Sequence, residues 1–162
     1  MNSLSSQPVF IALGSNLGDA AGNVSRAMER LEGLSAAPLR RSSLRQTAPV
    51  DCPPGSLPFV NAVVGLVARA GETPESLLAA LQAIEREFGR RPKIEINEPR
   101  PLDLDLIAFG NQTRASGDLI LPHPRAHLRR FVLAPLGEIA PGFILPGQSR
   151  TVAELLAGLG EI

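Results

Sequence analysis

Hydrophobic residues along this chain fall into short periodic runs divided by polar, glycine-rich and proline-rich stretches. "VFIALG" (residues 9–14) is apolar and bounded by Pro8 and Gly14, which predicts a strand. "SNLGD" follows as a turn. From residue 19 to about 34 the period becomes helical, with Val24, Ala27, Met28, Leu31 and Leu34 on one face. Residues 39–47, "LRRSSLRQT", make a weak strand candidate. Residues 48–58, with four prolines and a glycine, read as a long irregular loop of the kind that often carries function. "FVNAVVGLVA" (59–68) is valine-rich and predicts a central strand. Thr73 and Pro74 form a helix start, an N-cap followed by proline at the first helical position. That helix runs to about Phe88, where Gly89 stops it.

A second polar loop spans 90–99, and "RPLDLDLIAF" then reads as the fourth long strand. Beyond it come a loop to His123, a helical piece near 126–136 and a short helix from about Thr151. The order is β-α-β-β-α-β with C-terminal extensions. It predicts an α+β, ferredoxin-like fold: an antiparallel sheet with both helices on one face. No repeat or linker divides the chain, so residues 1–162 are expected to form one domain.

Composition narrows the function classes. Hydrophobic residues make up 44%, enough for a core without disulfide staples. Lys+Arg and Asp+Glu number 16 each, so no overall charge favours nucleic acid or an anionic membrane. Six Phe, with no Tyr or Trp, supply base-stacking platforms poorly. Cys52 is the only cysteine, which excludes an intrachain disulfide and fits an ordinary loop cysteine in a reducing compartment. The first residues lack a basic segment followed by an apolar run. The expectation is a soluble, cytoplasmic, monomeric protein that binds neither nucleic acid nor membrane.

The fourth strand carries the sharpest chemical signal. Asp103 and Asp105 alternate with Leu102, Leu104 and Leu106, so the two acids share one face and the leucines the other. Alone, this alternation fits a solvated sheet face as well as a metal site. Adjacent like charges, however, gain nothing from each other across a sheet. Two hard oxygen donors suit Mg²⁺, which binds through one or two carboxylates and substrate phosphates. Arg100 precedes the pair, and Arg86, Arg90, Arg91 and Lys93 lie upstream. Metal-holding acids beside phosphate-holding bases make a phosphoryl-transfer constellation. "LPHPRAHLRRFVLAPL" (121–136) adds His123, held between prolines, and Arg125, Arg129 and Arg130, whose guanidinium groups suit bidentate phosphate contacts.

"EPRPLDLDLIAFG", "LPHPRAHLRRFVLAPLGEIAP" and "IALGSNLGD", with "PFVNAVV" and "LQAIEREFGR", together resemble the 6-hydroxymethyl-7,8-dihydropterin pyrophosphokinase family. The resemblance spans residues 9–146. It implies a ferredoxin-like fold, two Mg²⁺ ions, and transfer of pyrophosphate from ATP to the pterin in folate biosynthesis, with release of AMP. It implies Asp103 and Asp105 as metal-binding and catalytic, together with Arg90 and Arg100. Gln82, Glu85, Arg90, Arg100, His123 and Arg129 match nucleotide-site positions. Asn61 matches the amide that reads the pterin edge, Phe59 and Phe131 the aromatic pair that sandwiches its ring, and Thr47 and Val50 loop positions whose backbone meets it. The loops at 48–58 and 90–99 would then act as lids. Ile96, Asn97 and Glu98 depart from the family pattern, as do Arg45 and Asp51 around Thr47. The rival chemistry is another two-metal nucleotidyl transferase or cyclase on the same layout, whose released product would be pyrophosphate instead of AMP. An RNA-binding module is a further rival, disfavoured by charge and aromatic content.

Overall fold

The computed structural model describes residues 7–47, 58–89 and 101–159. Its elements in chain order are β1 (Pro8–Ser15), α1 (Ala20–Glu32), β2 (Arg40–Arg41), β3 (Arg45–Thr47), β4 (Phe59–Val67), α2 (Pro74–Glu87), β5 (Asp103–Phe109), β6 (Arg114–Ser116), β7 (Leu119–Leu121), α3 (Arg130–Ile139) and α4 (Val152–Gly158). The main sheet is antiparallel in the order β2-β4-β1-β5, and β3 pairs β4 next to β2, along the stretch Phe59–Asn61. This is the ferredoxin-like arrangement that the element order predicts.

Local chemistry sets the helix ends. Asp19 caps α1 by accepting from the Gly22 N–H at 3.1 Å. At α2, Thr73 Oγ1 accepts from Ser76 N–H and Ser76 Oγ accepts from Thr73 N–H, both at 3.0 Å, a reciprocal capping box. Gly89 follows α2 with φ +91°, a conformation only glycine adopts cheaply.

Two apolar clusters lie on opposite faces of the sheet. The first gathers Ile11, Leu13, Ala62, Val64, Leu104 and Leu106 from the strands under α1 and α2, which contribute Val24, Leu31, Leu77 and Leu81. The leucines of "LDLDL" thus face these helices. The second gathers Phe10, Val63, Ile107 and Ala108 under α3 and α4, through Val132, Leu133, Leu136 and Val152. The C-terminal helices therefore cover part of the face opposite α1 and α2. Leu31 is fully buried in the first cluster, so Leu31→Ala is expected to cost about 2–5 kcal/mol of unfolding free energy, read as a lowered denaturant midpoint.

Three segments differ from the sequence expectation. The weak strand at 39–47 is broken into β2 and β3. Ser42 turns inward at the break: its N–H donates to Val63 O at 3.0 Å and its Oγ accepts from Val63 N–H at 2.9 Å. The loop before His123 contains the hairpin β6–β7. The helical piece at 126–136 is a 3₁₀ turn (Ala126–Leu128), an extended Arg129, and then α3. Among the described residues no helix is long and apolar enough to cross a membrane.

Candidate active site

At one end of the α3 face of the sheet, beyond the cluster under α3 and α4, the polar side chains of the strands collect. β1 is central and carries Ala12 and Gly14 on this face. Register places Asn61 of β4 opposite Gly14 and, on the other side, Asp103 of β5. The next row is Val63, Ala12 and Asp105. Asn61 and Asp103 are two strand spacings apart, roughly 10 Å, with only a glycine between them. A Cβ built on Gly14 would stand 3.2 Å from Asn61 Oδ1 and 3.7 Å from Phe59. The row makes a shallow trough whose middle residue has no side chain, and Gly14 and Asn61 are themselves buried.

Asp103 and Asp105 are half-buried on the same pleat, and Ile107, two residues on, is buried under α3. A bulge separates this pleat from the rest of β5: Ile11 pairs with Leu106 and Phe10 with Ala108, which leaves Ile107 as the extra residue. Its carbonyl accepts instead from His123 N–H at 2.9 Å. The bulge thereby ties the histidine segment to the strand of the two acids. Burial pushes the His123 pKa down, Arg129 and Arg125 push it further, and Asp103 opposes them. Its Nδ1 accepts from the Arg125 N–H at 3.2 Å, so the neutral ring carries its proton on Nε2.

The edge of β5 is held from α2. Glu85 accepts from Leu104 N–H at 2.7 Å, between the two aspartates. Gln82 lies one turn earlier, on the exposed side of α2. On the far side of the trough, Thr47 pairs with Phe59 across β3 and β4, and Asn61 Nδ2 donates to Thr47 Oγ1 at 2.7 Å. Phe131, 41% exposed at the start of α3, has the Arg129 guanidinium over its ring, 5.3 Å from the centroid. The structure thus brings Asn61, Thr47 and Phe59 together at one end of the row and Asp103, Asp105, Glu85 and His123 at the other. Arg90, Arg100 and Val50 lie outside the described residues.

Sequence reasoning overlooked Gly14, whose importance appears only when three strands are laid side by side. It also overlooked Glu138, whose partners in β3 and before it are more than ninety positions away. The donor set suits Mg²⁺: two carboxylates on one pleat are the share a protein supplies when phosphates complete the shell. Among the described residues no group of three or more His, Cys, Asp or Glu forms a closed metal cage.

Fold and topology together define a class, the ferredoxin-like α+β proteins, and the polar residues collect at one end of a sheet face. The family model for 7,8-dihydro-6-hydroxymethylpterin-pyrophosphokinase matches residues 10–141. The chain is 38% identical over 151 residues to the 2-amino-4-hydroxy-6-hydroxymethyldihydropteridine pyrophosphokinase of Pseudomonas aeruginosa, covering 93% of this chain and 91% of that one. It is 41% identical over 131 residues to the mitochondrial folate synthesis bifunctional protein of Arabidopsis thaliana, covering 81% of this chain and 23% of that one. The chain belongs to the 7,8-dihydro-6-hydroxymethylpterin-pyrophosphokinase family. The wild-type Plasmodium falciparum HPPK-DHPS structure with pteroate superposes at TM-score 0.73 and 13% identity, over 94% of this chain and 42% of that one, which supports the fold. The chain thus spans about a quarter of the bifunctional plant relative and less than half of that structure.

Proposed function

We propose that this chain transfers the pyrophosphoryl group of ATP to the hydroxymethyl oxygen of 6-hydroxymethyl-7,8-dihydropterin, giving the pterin diphosphate and AMP. The observation that carries this reading is the row Asn61–Gly14–Asp103. An amide able to read a heterocycle edge and an acid able to serve a phosphate site are separated by a residue without a side chain. A planar bicycle can lie across it with its hydroxymethyl arm directed at the acids.

In this reading Asn61 and Thr47 meet the pterin edge, and Phe59 and Phe131 offer it two aromatic faces. Asp103 and Asp105 hold Mg²⁺, two ions in all. Bound there, Mg²⁺ neutralises phosphate charge and polarises the phosphorus under attack. The hydroxymethyl oxygen attacks the β-phosphorus and releases its proton to water, the bond from the β-phosphorus to the α–β bridging oxygen breaks, and AMP leaves with that oxygen. Arg90, Arg100, Arg129 and the Nε2–H of His123 meet the charge on the phosphates. Glu85 fixes the stretch of β5 between the aspartates, so neither acid moves when the phosphates arrive. Gln82 contributes to the nucleotide side of the site.

Incubation with ATP, Mg²⁺ and 6-hydroxymethyl-7,8-dihydropterin, followed by chromatography of the products, tests the reading. AMP and the pterin diphosphate are expected in equal amounts. Release of inorganic pyrophosphate with a nucleotidyl adduct would assign the site to nucleotidyl transfer instead.

A further inference from the structure

Glu138 sits near the C-terminal end of α3 and gathers four donors. Its Oε1 accepts from Ser43 N–H at 2.8 Å. Its Oε2 accepts from Ser43 Oγ–H at 2.8 Å and from Arg45 Nε and Nη2 at 2.8 and 2.6 Å. Ser43 and Arg45 belong to the break between β2 and β3 and to β3 itself, where Ser42 is already bound to β4 on its other side. The segment is therefore held twice, by the sheet through Ser42 and by α3 through Ser43 and Arg45.

Phe131 precedes Glu138 by two helical turns, so both project from the same side of α3. Thr47, two residues after Arg45 on the same face of β3, accepts from Asn61. Glu138 thus joins the helix that carries Phe131 to the strand that carries Thr47. Through Thr47 the clamp therefore reaches Asn61.

We propose that Glu138 is a positioning residue that fixes β3, and through it Thr47 and Asn61, at the pterin end of the trough, by clamping Ser43 and Arg45 to α3. The inference rests on reading that end as the pterin site. It gives a role to Arg45, whose guanidinium makes two of the four bonds. Among the described residues the four bonds of the clamp all run between α3 and residues 43–45, not to β5, α2 or the His123 segment. The two ends are therefore expected to respond differently when it is cut.

The test is titration of the full chain with 6-hydroxymethyl-7,8-dihydropterin and, separately, with Mg²⁺–ATP, for the wild type, Glu138→Ala, Arg45→Ala and the double variant. The dihydropterin Kd is expected to rise about tenfold or more in each single variant, a cost in line with misplacing a binding group. The ATP Kd is expected to stay within about twofold. The double variant should bind the dihydropterin no worse than the weaker single variant, because both substitutions cut one contact. Should Glu138→Ala fail to fold, Arg45→Ala, at an exposed position, reads the same contact from the other side. An unchanged dihydropterin Kd in folded Glu138→Ala and Arg45→Ala overturns the clamp and leaves the proposed function standing. Equal weakening of both ligands also overturns it, since that is what general loosening produces. A wild type that binds no dihydropterin removes the pterin reading and the clamp with it.

Discussion

Asp103→Asn is expected to lower the rate of AMP formation by about a hundredfold or more at saturating ATP and dihydropterin, and Asp105→Asn by a similar factor. Both acids are half-buried on one pleat of β5, and their neighbours in the row are Gly14 and Ala12. Neither neighbour brings charge. Asparagine keeps the shape of the side chain and removes the negative charge, so the strand and its leucines are left in place while a hard ligand is lost. Losing one electrostatic contact to a developing transition state costs on the order of 10²–10³ in turnover. Mg²⁺ titration separates this from general damage: the variants should need more Mg²⁺ for half-maximal rate, with unfolding midpoints near that of the wild type. Wild-type rates at low Mg²⁺ in either variant would end the assignment.

The second large effect is expected at a residue with no side chain. Gly14→Val should weaken dihydropterin binding by about a hundredfold while leaving the sheet intact. Valine suits a central strand, and Gly14 does not occupy the left-handed region, so its backbone accepts a side chain. The obstacle is space. A Cβ already approaches Asn61 Oδ1 to 3.2 Å, and the two methyl groups of valine would rise further into the trough between Asn61 and Asp103. Gly14→Ala should lie between wild type and Gly14→Val. Titration with the dihydropterin and a thermal melt decide the matter together. Undiminished binding by a folded Gly14→Val protein would show that the ligand does not lie across β1.

Much of this site is legible in the chain, and the parts that are not share a physical reason. The acids of β5 and the leucines between them follow from the two-residue period of a strand. α2 is announced by Thr73 and Pro74 and closed by Gly89. These are local signals. The bulge at Ile107 is a property of how two strands pair, and neither strand reveals it alone. Gly14 as floor, and Glu138 as the partner of Ser43 and Arg45, are likewise matters of register and of distant packing. The hairpin β6–β7 is different, because its signal is present: Gly117 and Asp118 between Ser116 and Leu119 are a two-residue turn. Its strands of three residues are too short for alternation to show. The break between β2 and β3 hides in the same way, since Ser42 and Ser43 look like ordinary polar positions until one bonds the sheet and the other the helix.

The bond between Glu85 and the Leu104 amide has a meaning beyond the site. β5 ends the strand order of the main sheet, and at its bulge the Ile107 carbonyl is already bonded by the His123 N–H. A bare row of amides on such a border invites a strand from another molecule to add to it, the first step of aggregation. Here a carboxylate already occupies the amide in the middle of the "LDLDL" stretch, and it brings a negative charge beside two others. An incoming strand would have to displace that carboxylate and bring its own carbonyl oxygens toward three acidic groups. The Glu85 carboxylate thus also hinders strand addition along this part of the β5 border.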